Sequence, residues 1–183
     1  MTLDAGPDAL YTTLARAADA PAVAQLVNLA YRGAASRRGW TSEADLLDGE
    51  RIDAPTVAAL IAAPGSAILV VRGQKGLNAA AHVWRESPAT AGLGLLAVRP
   101  TLQGSLLGRH MLAAAERYAL RELGAHALEL TVIDRREELI AWYERRGYVL
   151  SGERRPFPAD GSEGGVPARA ALVLLVMRRE LAA

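Results

Sequence analysis

The sequence predicts a mixed α+β or α/β fold, with one central sheet and helices on both of its faces. Three observations carry this. Apolar residues switch between helical spacing and short strand-like runs, in the order β-α-α-β-β-β-α-β-α-β-β. Glycine or proline closes several of these segments, as at Pro64-Gly65, Gly124 and Gly147. Hydrophobic residues make up 51% of 183 positions, enough for one sizeable core. No repeat or low-complexity linker divides the chain, so 1–183 reads as a single domain.

Tyr11 to Ala17 forms the first strand. Asp19-Ala20-Pro21 then caps a helix whose apolar face is Val23, Leu26, Val27, Ala30 and Tyr31. Gly33 to Arg51 is a polar loop, and Ala54 to Ala63 a second helix stopped by Pro64-Gly65. Ala67 to Arg72 and Ala79 to Arg85 are strands joined by the turn Gly73-Gln74-Lys75-Gly76. Gly92 to Val98 is the next strand. Gly104 to Leu123 is a long helix closed by Gly124, and His126 to Ile133 a strand. Arg136 to Arg146 is a helix with Glu137 and Glu138 in its first turn and Arg145 and Arg146 in its last. That arrangement complements the helix dipole. Tyr148 to Ser151 and Ala170 to Arg178 are the last strands, separated by a loop rich in proline, glycine and aspartate.

Composition narrows the function. A net charge of +1 argues against nucleic acid or an anionic membrane as a partner. The chain has no cysteine, which excludes disulfides, thiolate nucleophiles and cysteine–zinc sites, and makes a reducing cytoplasm the expected compartment. The first residues lack the basic and apolar regions of a signal peptide, and no apolar run reaches membrane-spanning length. His82, His110 and His126 show no metal-ligand spacing, so no metal is expected.

The segment that carries chemistry is Leu95 to Arg109: an apolar strand end, a turn marked by Pro100, then a glycine-containing entry into the long helix. A helix N-terminus offers unpaired N–H groups and partial positive charge, so it holds a phosphate without needing lysine. Arg109 adds a charged donor just inside the helix. There is no Gly-x-x-x-x-Gly-Lys-Ser/Thr run, so a P-loop is unsupported. Gly92-Leu93-Gly94-Leu95-Leu96-Ala97 imitates a dinucleotide fingerprint, but it leads into Val98-Arg99-Pro100 rather than opening a helix.

Two segments together resemble the GNAT superfamily of acetyl-CoA-dependent N-acetyltransferases. Gln103-Gly104-Ser105-Leu106-Leu107-Gly108 falls on the family's Gln/Arg-x-x-Gly-x-Gly/Ala loop, with Leu106 where the first motif glycine stands. Arg136 to Tyr148 falls on its Asn-x-x-Ala-x-x-Phe-Tyr-x-x-x-Gly-Phe helix. There Tyr143 and Gly147-Tyr148 match, Trp142 replaces phenylalanine, and Arg136 and Leu139 replace asparagine and alanine. Gly39-Trp40-Thr41-Ser42-Glu43 and Pro156-Phe157-Pro158 match segments of a small-molecule-type subgroup.

The resemblance implies a mostly antiparallel sheet with one splayed strand pair, and acetyl-CoA as cosubstrate. Leu96, Ala97 and Val98 would meet the acyl and pantetheine portion through their main chain. Gln103, Gly104, Ser105, Leu106, Leu107, Gly108 and Arg109 would hold the pyrophosphate. Tyr143 would assist the departing thiolate; the competing reading is a core aromatic packed on Leu139. Trp40, Thr41, Glu43 and Phe157 would flank a small-molecule amine acceptor. Glu43 and Asp134 are the candidate general bases, because the strand from Gly92 to Val98 has no carboxylate. A homodimer is compatible with the family. The alternative is a non-catalytic acyl-CoA-binding regulatory module on the same fold, which the missing strand carboxylate, Leu106 and Arg136 motivate.

Overall fold

A computed structural model describes residues 11–158, 165–167 and 172–182. The elements are β1 (Thr12–Leu14), α1 (Ala20–Tyr31), α2 (Gly33–Ser36), β2 (Leu47–Asp48), α3 (Ala54–Ala62), β3 (Ser66–Gly73), β4 (Gly76–Arg85), β5 (Thr90–Val98), α4 (Leu107–Arg121), β6 (Ala127–Ile133), α5 (Glu137–Glu144), β7 (Val149–Pro156), β8 (Val166–Pro167) and β9 (Val173–Glu180). Seven strands form one sheet in the order β1-β3-β4-β5-β6-β9-β7, and β2 pairs with β8 separately. Every pair in the large sheet is antiparallel except β5 with β6.

Local sequence explains most boundaries. Pro21 sits in the first turn of α1, and Val23, Ala24, Leu26, Val27 and Ala30 bury one stripe. Asp53 caps α3 by accepting from the Thr56 N–H at 2.8 Å. Helix α4 begins at Leu107 rather than at Gly104, because Gly104 (φ +81°) makes a turn that a helix cannot contain. Strand β7 runs to Pro156 along the sheet edge, where a missing N–H costs no ladder bond.

Two cores sandwich the sheet. On one face α4 packs Met111, Leu112, Ala115 and Ala119 against Val83, Leu93, Leu128 and Val132. On the other, α1 and α3 pack Val23, Val27 and Val57 against Ile68, Val70, Ala80 and Ala97. A smaller cluster of Leu47, Ile133, Phe157, Leu172 and Leu174 lies beyond the end of β6. Among the described residues no helix is long and apolar enough to cross a membrane.

The feature that makes a site is the failure of β5 to stay paired. Thr90 to Leu93 run parallel to Ala127 to Leu130, and there the pairing stops, four residues into the strand. The β4–β5 register shifts between Ala80 and His82, and Leu95 there has φ +49°. Leu95 is the one described non-glycine residue with positive φ. This bulge bends the second half of β5 away from β6. The result is the splayed strand pair that the family resemblance implies.

Candidate active site

The gap opened by the splay is lined on the β5 side by main chain. The Arg99 N–H donates to Asn78 O on β4 at 2.9 Å. Strand alternation then turns the polar groups of Ala97 toward β4 and those of Leu96 and Val98 into the gap. Both gap-facing carbonyls are already used. Leu96 O accepts from the Tyr31 hydroxyl at 2.5 Å, and Val98 O accepts from Gln103 Nε2 at 3.0 Å. What β5 offers an incoming ligand is therefore the N–H groups of Leu96 and Val98.

Below the gap lies the turn into α4. The first intrahelical bond runs from the His110 N–H to Leu106 O, and Ser105 Oγ takes the Leu107 N–H at 3.3 Å. The N–H groups of Gly108 and Arg109 thus have no acceptor within the helix. Leu106 has an ordinary helical backbone (φ −71°) and its side chain is exposed. The conformational freedom this turn needs is supplied by Gly104, so leucine at 106 costs the backbone nothing.

Helix α5 supplies the opposite wall. Its first turn is acidic and its Trp142-Tyr143 pair faces the gap. The Arg146 guanidinium lies 3.7 Å from the Trp142 ring centroid, a cation–π contact, and donates to Trp142 O at 2.6 Å. Tyr143 is buried, edge-on to both Trp142 and Tyr148. Among the described residues its hydroxyl has no hydrogen-bond partner. Burial, with Tyr31 close by, pushes the phenol far above its ordinary range, so it stays protonated.

These parts enclose one cavity of about 300 Å³. Of the residues singled out in the sequence, it is lined by Leu96, Val98, Gln103, Gly104, Ser105, Leu106, Gly108, Arg109, Trp40, Thr41 and Tyr143. A groove of about 850 Å³ beside α1 is larger, but it touches neither Tyr143 nor the α4 turn.

Several expectations need correction. Ala97 and Leu107 do not line the cavity: the main-chain polar groups of Ala97 turn toward β4, and the Leu107 N–H is taken by Ser105 Oγ. Gln103 presents no free amide to a ligand. Its Oε1 accepts from the Trp40 N–H at 2.9 Å and its Nε2 donates to Thr41 Oγ1 at 2.8 Å, so it ties residues 40–41 down over the cavity. Glu43 is not an open carboxylate. Its two oxygens accept from Arg32 (2.5 Å) and Arg136 (2.8 Å), with side chains about a tenth exposed. Phe157 belongs to the cluster beyond β6, not to the cavity wall. Asp134 sits past the end of β6, 3.9 Å from Arg154, and does not reach the cavity either.

Tyr31 is the residue that sequence reading missed. It reads as one more apolar position of α1, yet its hydroxyl holds the Leu96 carbonyl. Its ring packs under Arg136, whose guanidinium carbon lies 5.9 Å from the ring centroid. Its place as the last residue of α1 was the available signal, because a residue there can reach past the helix end.

Residues 37–148 match the model of the acetyltransferase (GNAT) family. No curated protein matches the chain. Among solved structures the chain is similar to YncA of Salmonella typhimurium, determined with its cofactor acetyl-CoA. The identity is 20%, the TM-score 0.69, and 96% of each chain is covered. It is also similar to the ribosomal-protein-S18-alanine N-acetyltransferase of Escherichia coli, at 18% identity and TM-score 0.67, again over 96% of each chain. A third likeness, smu.2055 of Streptococcus mutans, has TM-score 0.71 at 12% identity, over 94% of this chain and all of the other. A family match across more than half the chain, on a fold whose β5–β6 pair opens above a helix N-terminus, makes this protein a member of the GNAT acetyltransferase family.

Proposed function

We propose that the protein is an N-acetyltransferase that moves an acetyl group from acetyl-CoA to a primary amine of a small molecule by direct attack. The observation that carries this is the pairing in the gap. Two β5 carbonyls are capped from inside the protein, and the two neighbouring N–H groups face a cavity that Tyr143 also lines.

The residues fit the cosubstrate. The N–H groups of Gly108 and Arg109 and the cations of Arg109 and Arg146 suit a pyrophosphate. The Leu96 and Val98 N–H groups suit the amide and thioester carbonyls of a threaded chain. When bound, acetyl-CoA supplies an activated acetyl thioester. The Leu96 N–H polarises the reacting carbonyl, a preset donor aimed where negative charge develops. Tyr143, neutral and unpaired, gives a proton to the sulfur as the C–S bond breaks. Tyr31 acts one step back, holding the Leu96 peptide in orientation. Among the described residues no Asp or Glu lines this cavity, so no carboxylate in it takes the acceptor's proton, which goes to water before attack. The absence of cysteine suits a cytoplasmic enzyme.

That missing carboxylate also favours a second reading, a binding module without turnover. Calorimetric titration with acetyl-CoA, followed by thiol release in the presence of amines, separates the two. The Gly108→Trp variant is the control. A Cβ at Gly108 would already stand 3.6 Å from Trp142 and 3.8 Å from Val98, so an indole there fills the cavity. Wild-type binding that Gly108→Trp abolishes supports the site. Equal affinity in both proteins moves the cosubstrate elsewhere.

A further inference from the structure

A second cavity, of about 120 Å³, opens on the sheet face away from α4; its lining includes Trp84, Glu86, Gly92, Glu129, Thr131 and Arg155. Its place follows from strand alternation. Leu93, Leu128 and Leu130 point into the α4 core, so Gly92, Glu129 and Thr131 point the other way. Thr131 is the first β6 residue beyond the last β5–β6 pair, and Gly94 is the first such residue on β5. The cavity therefore ends at the vertex of the gap, on the face opposite the helix that meets the pyrophosphate.

The wall is built around one indole. A Cβ on Gly92 would stand 2.2 Å from the Trp84 ring, and one on Gly94 3.2 Å from it, so Trp84 lies across β5 where no larger residue fits. His82 stacks on Trp84 from below, centroids 4.7 Å apart. Trp84 Nε1–H donates to Glu86 Oε2 at 2.6 Å and holds that carboxylate at the cavity edge. The charges on this face do not cancel. Arg178 pairs with Glu129 and Glu180, and Arg155 with Glu153. Among the described residues four carboxylates thus meet two guanidiniums: Arg155 is close enough to act on both Glu86 and Glu129, and Glu86 itself makes no salt bridge.

We propose that this cavity is the acceptor subsite and that the acceptor is an elongated amine carrying a second cationic group. The reacting nitrogen sits at the vertex by Gly94 and Thr131. The apolar chain lies along Trp84, and the distal ammonium reaches Glu86. From Gly94 to Gly92 along β5 is roughly 7 Å, which sets the scale of the spacing between the two nitrogens. The inference rests on the acetyl-transfer reading. A nitrogen–acyl bond forms, the carbon–sulfur bond breaks, the amine gives up a proton to water, and the sulfur receives one.

The test offers propane-, pentane- and octane-α,ω-diamines and the matching monoamines at saturating acetyl-CoA, with thiol release as readout. The best diamine is expected to exceed its monoamine about tenfold in kcat/KM, the scale of one charge-assisted hydrogen bond. Glu86→Gln is expected to bring the diamine down to the monoamine's level while acetyl-CoA affinity holds. Trp84→Leu, which keeps the glycines covered, raises KM for the longer acceptors. No preference for a diamine overturns the substrate class. A preference that survives both substitutions overturns the location. If no amine releases thiol at all, the transfer reading itself has failed. Calorimetry of pentane diamine with wild type and Glu86→Gln then still decides whether this cavity binds a dication, and no binding rejects it.

Discussion

Two segments close over the same cavity in opposite ways. The turn from Gln103 to Arg109 faces the cavity with N–H groups left unpaired by helix geometry. The segment from Gly39 to Glu43 has its polar groups consumed inside the protein: Trp40 N–H and Thr41 Oγ1 by Gln103, Thr41 O by Arg136, and Glu43 by two arginines. Both stand out as motifs in the sequence, and both look like chemistry. The difference teaches that a motif carboxylate can serve as a fastening. Glu43 joins α1, the 39–43 segment and the start of α5 through Arg32 and Arg136. Arg136 in turn packs on Tyr31, which holds Leu96.

The largest effect should come from breaking that fastening. Glu43→Ala removes the carboxylate between two buried guanidiniums, and such a loss costs about 3–5 kcal/mol. Thermal or urea unfolding should show the whole of this, with acetylation falling only as the folded fraction falls. A catalytic base would behave the other way, with an unchanged melting temperature and a collapsed kcat. That second pattern would return Glu43 to the reaction.

Next in size is the group that faces the gap from the other wall. Tyr143→Phe should lower kcat by about a hundredfold, the scale of general acid catalysis, while leaving the acetyl-CoA Kd within about twofold. Its pH dependence sharpens the point. Because burial raises the Tyr143 phenol, the group remains protonated far above the range where a free tyrosine ionises. So kcat/KM should climb as the acceptor amine loses its proton, with no descending limb from tyrosine ionisation below about pH 10. A fall in rate centred near the ordinary phenol value would mean that Tyr143 is exposed to water and differently placed.

Why one segment was legible and the other was not has a physical answer. Element order, the Pro21 helix start, the glycine-terminated helices and the α4 turn all depend on local backbone preferences, which a sequence displays. So does the presence of unpaired backbone N–H groups at Gly108 and Arg109, since any helix start provides them. The roles of Glu43 and Tyr31, and the tie from Gln103 to residues 40–41, depend on partners between 11 and 93 positions away. A sequence shows that a carboxylate is present. It does not show that two arginines flanking different helices have already claimed it. Phe157 and Asp134 fail for the same reason, since the bend of β5 and the cluster beyond β6 decide what faces the gap.

The smallest effect separates backbone from side chain within the turn itself. If the turn works through its N–H groups, the residue at 106 matters little to the cosubstrate, although a glycine stands there in the family pattern. Leu106 is 67% exposed and its φ of −71° is one any residue adopts, so its side chain does not set the turn and lines the cavity from a mostly exposed position. Leu106→Gly should then change acetyl-CoA affinity by no more than about threefold, under 1 kcal/mol. Glycine's greater freedom in the unfolded chain, at the residue capping α4, should cost stability by about 0.5–1 kcal/mol. The two readouts, calorimetry and melting temperature, move independently, and that independence is the point of the experiment. A gain in affinity of tenfold or more would show that the leucine crowds the pyrophosphate. The turn would then face its ligand with a side chain after all, and the contrast between the two segments would dissolve.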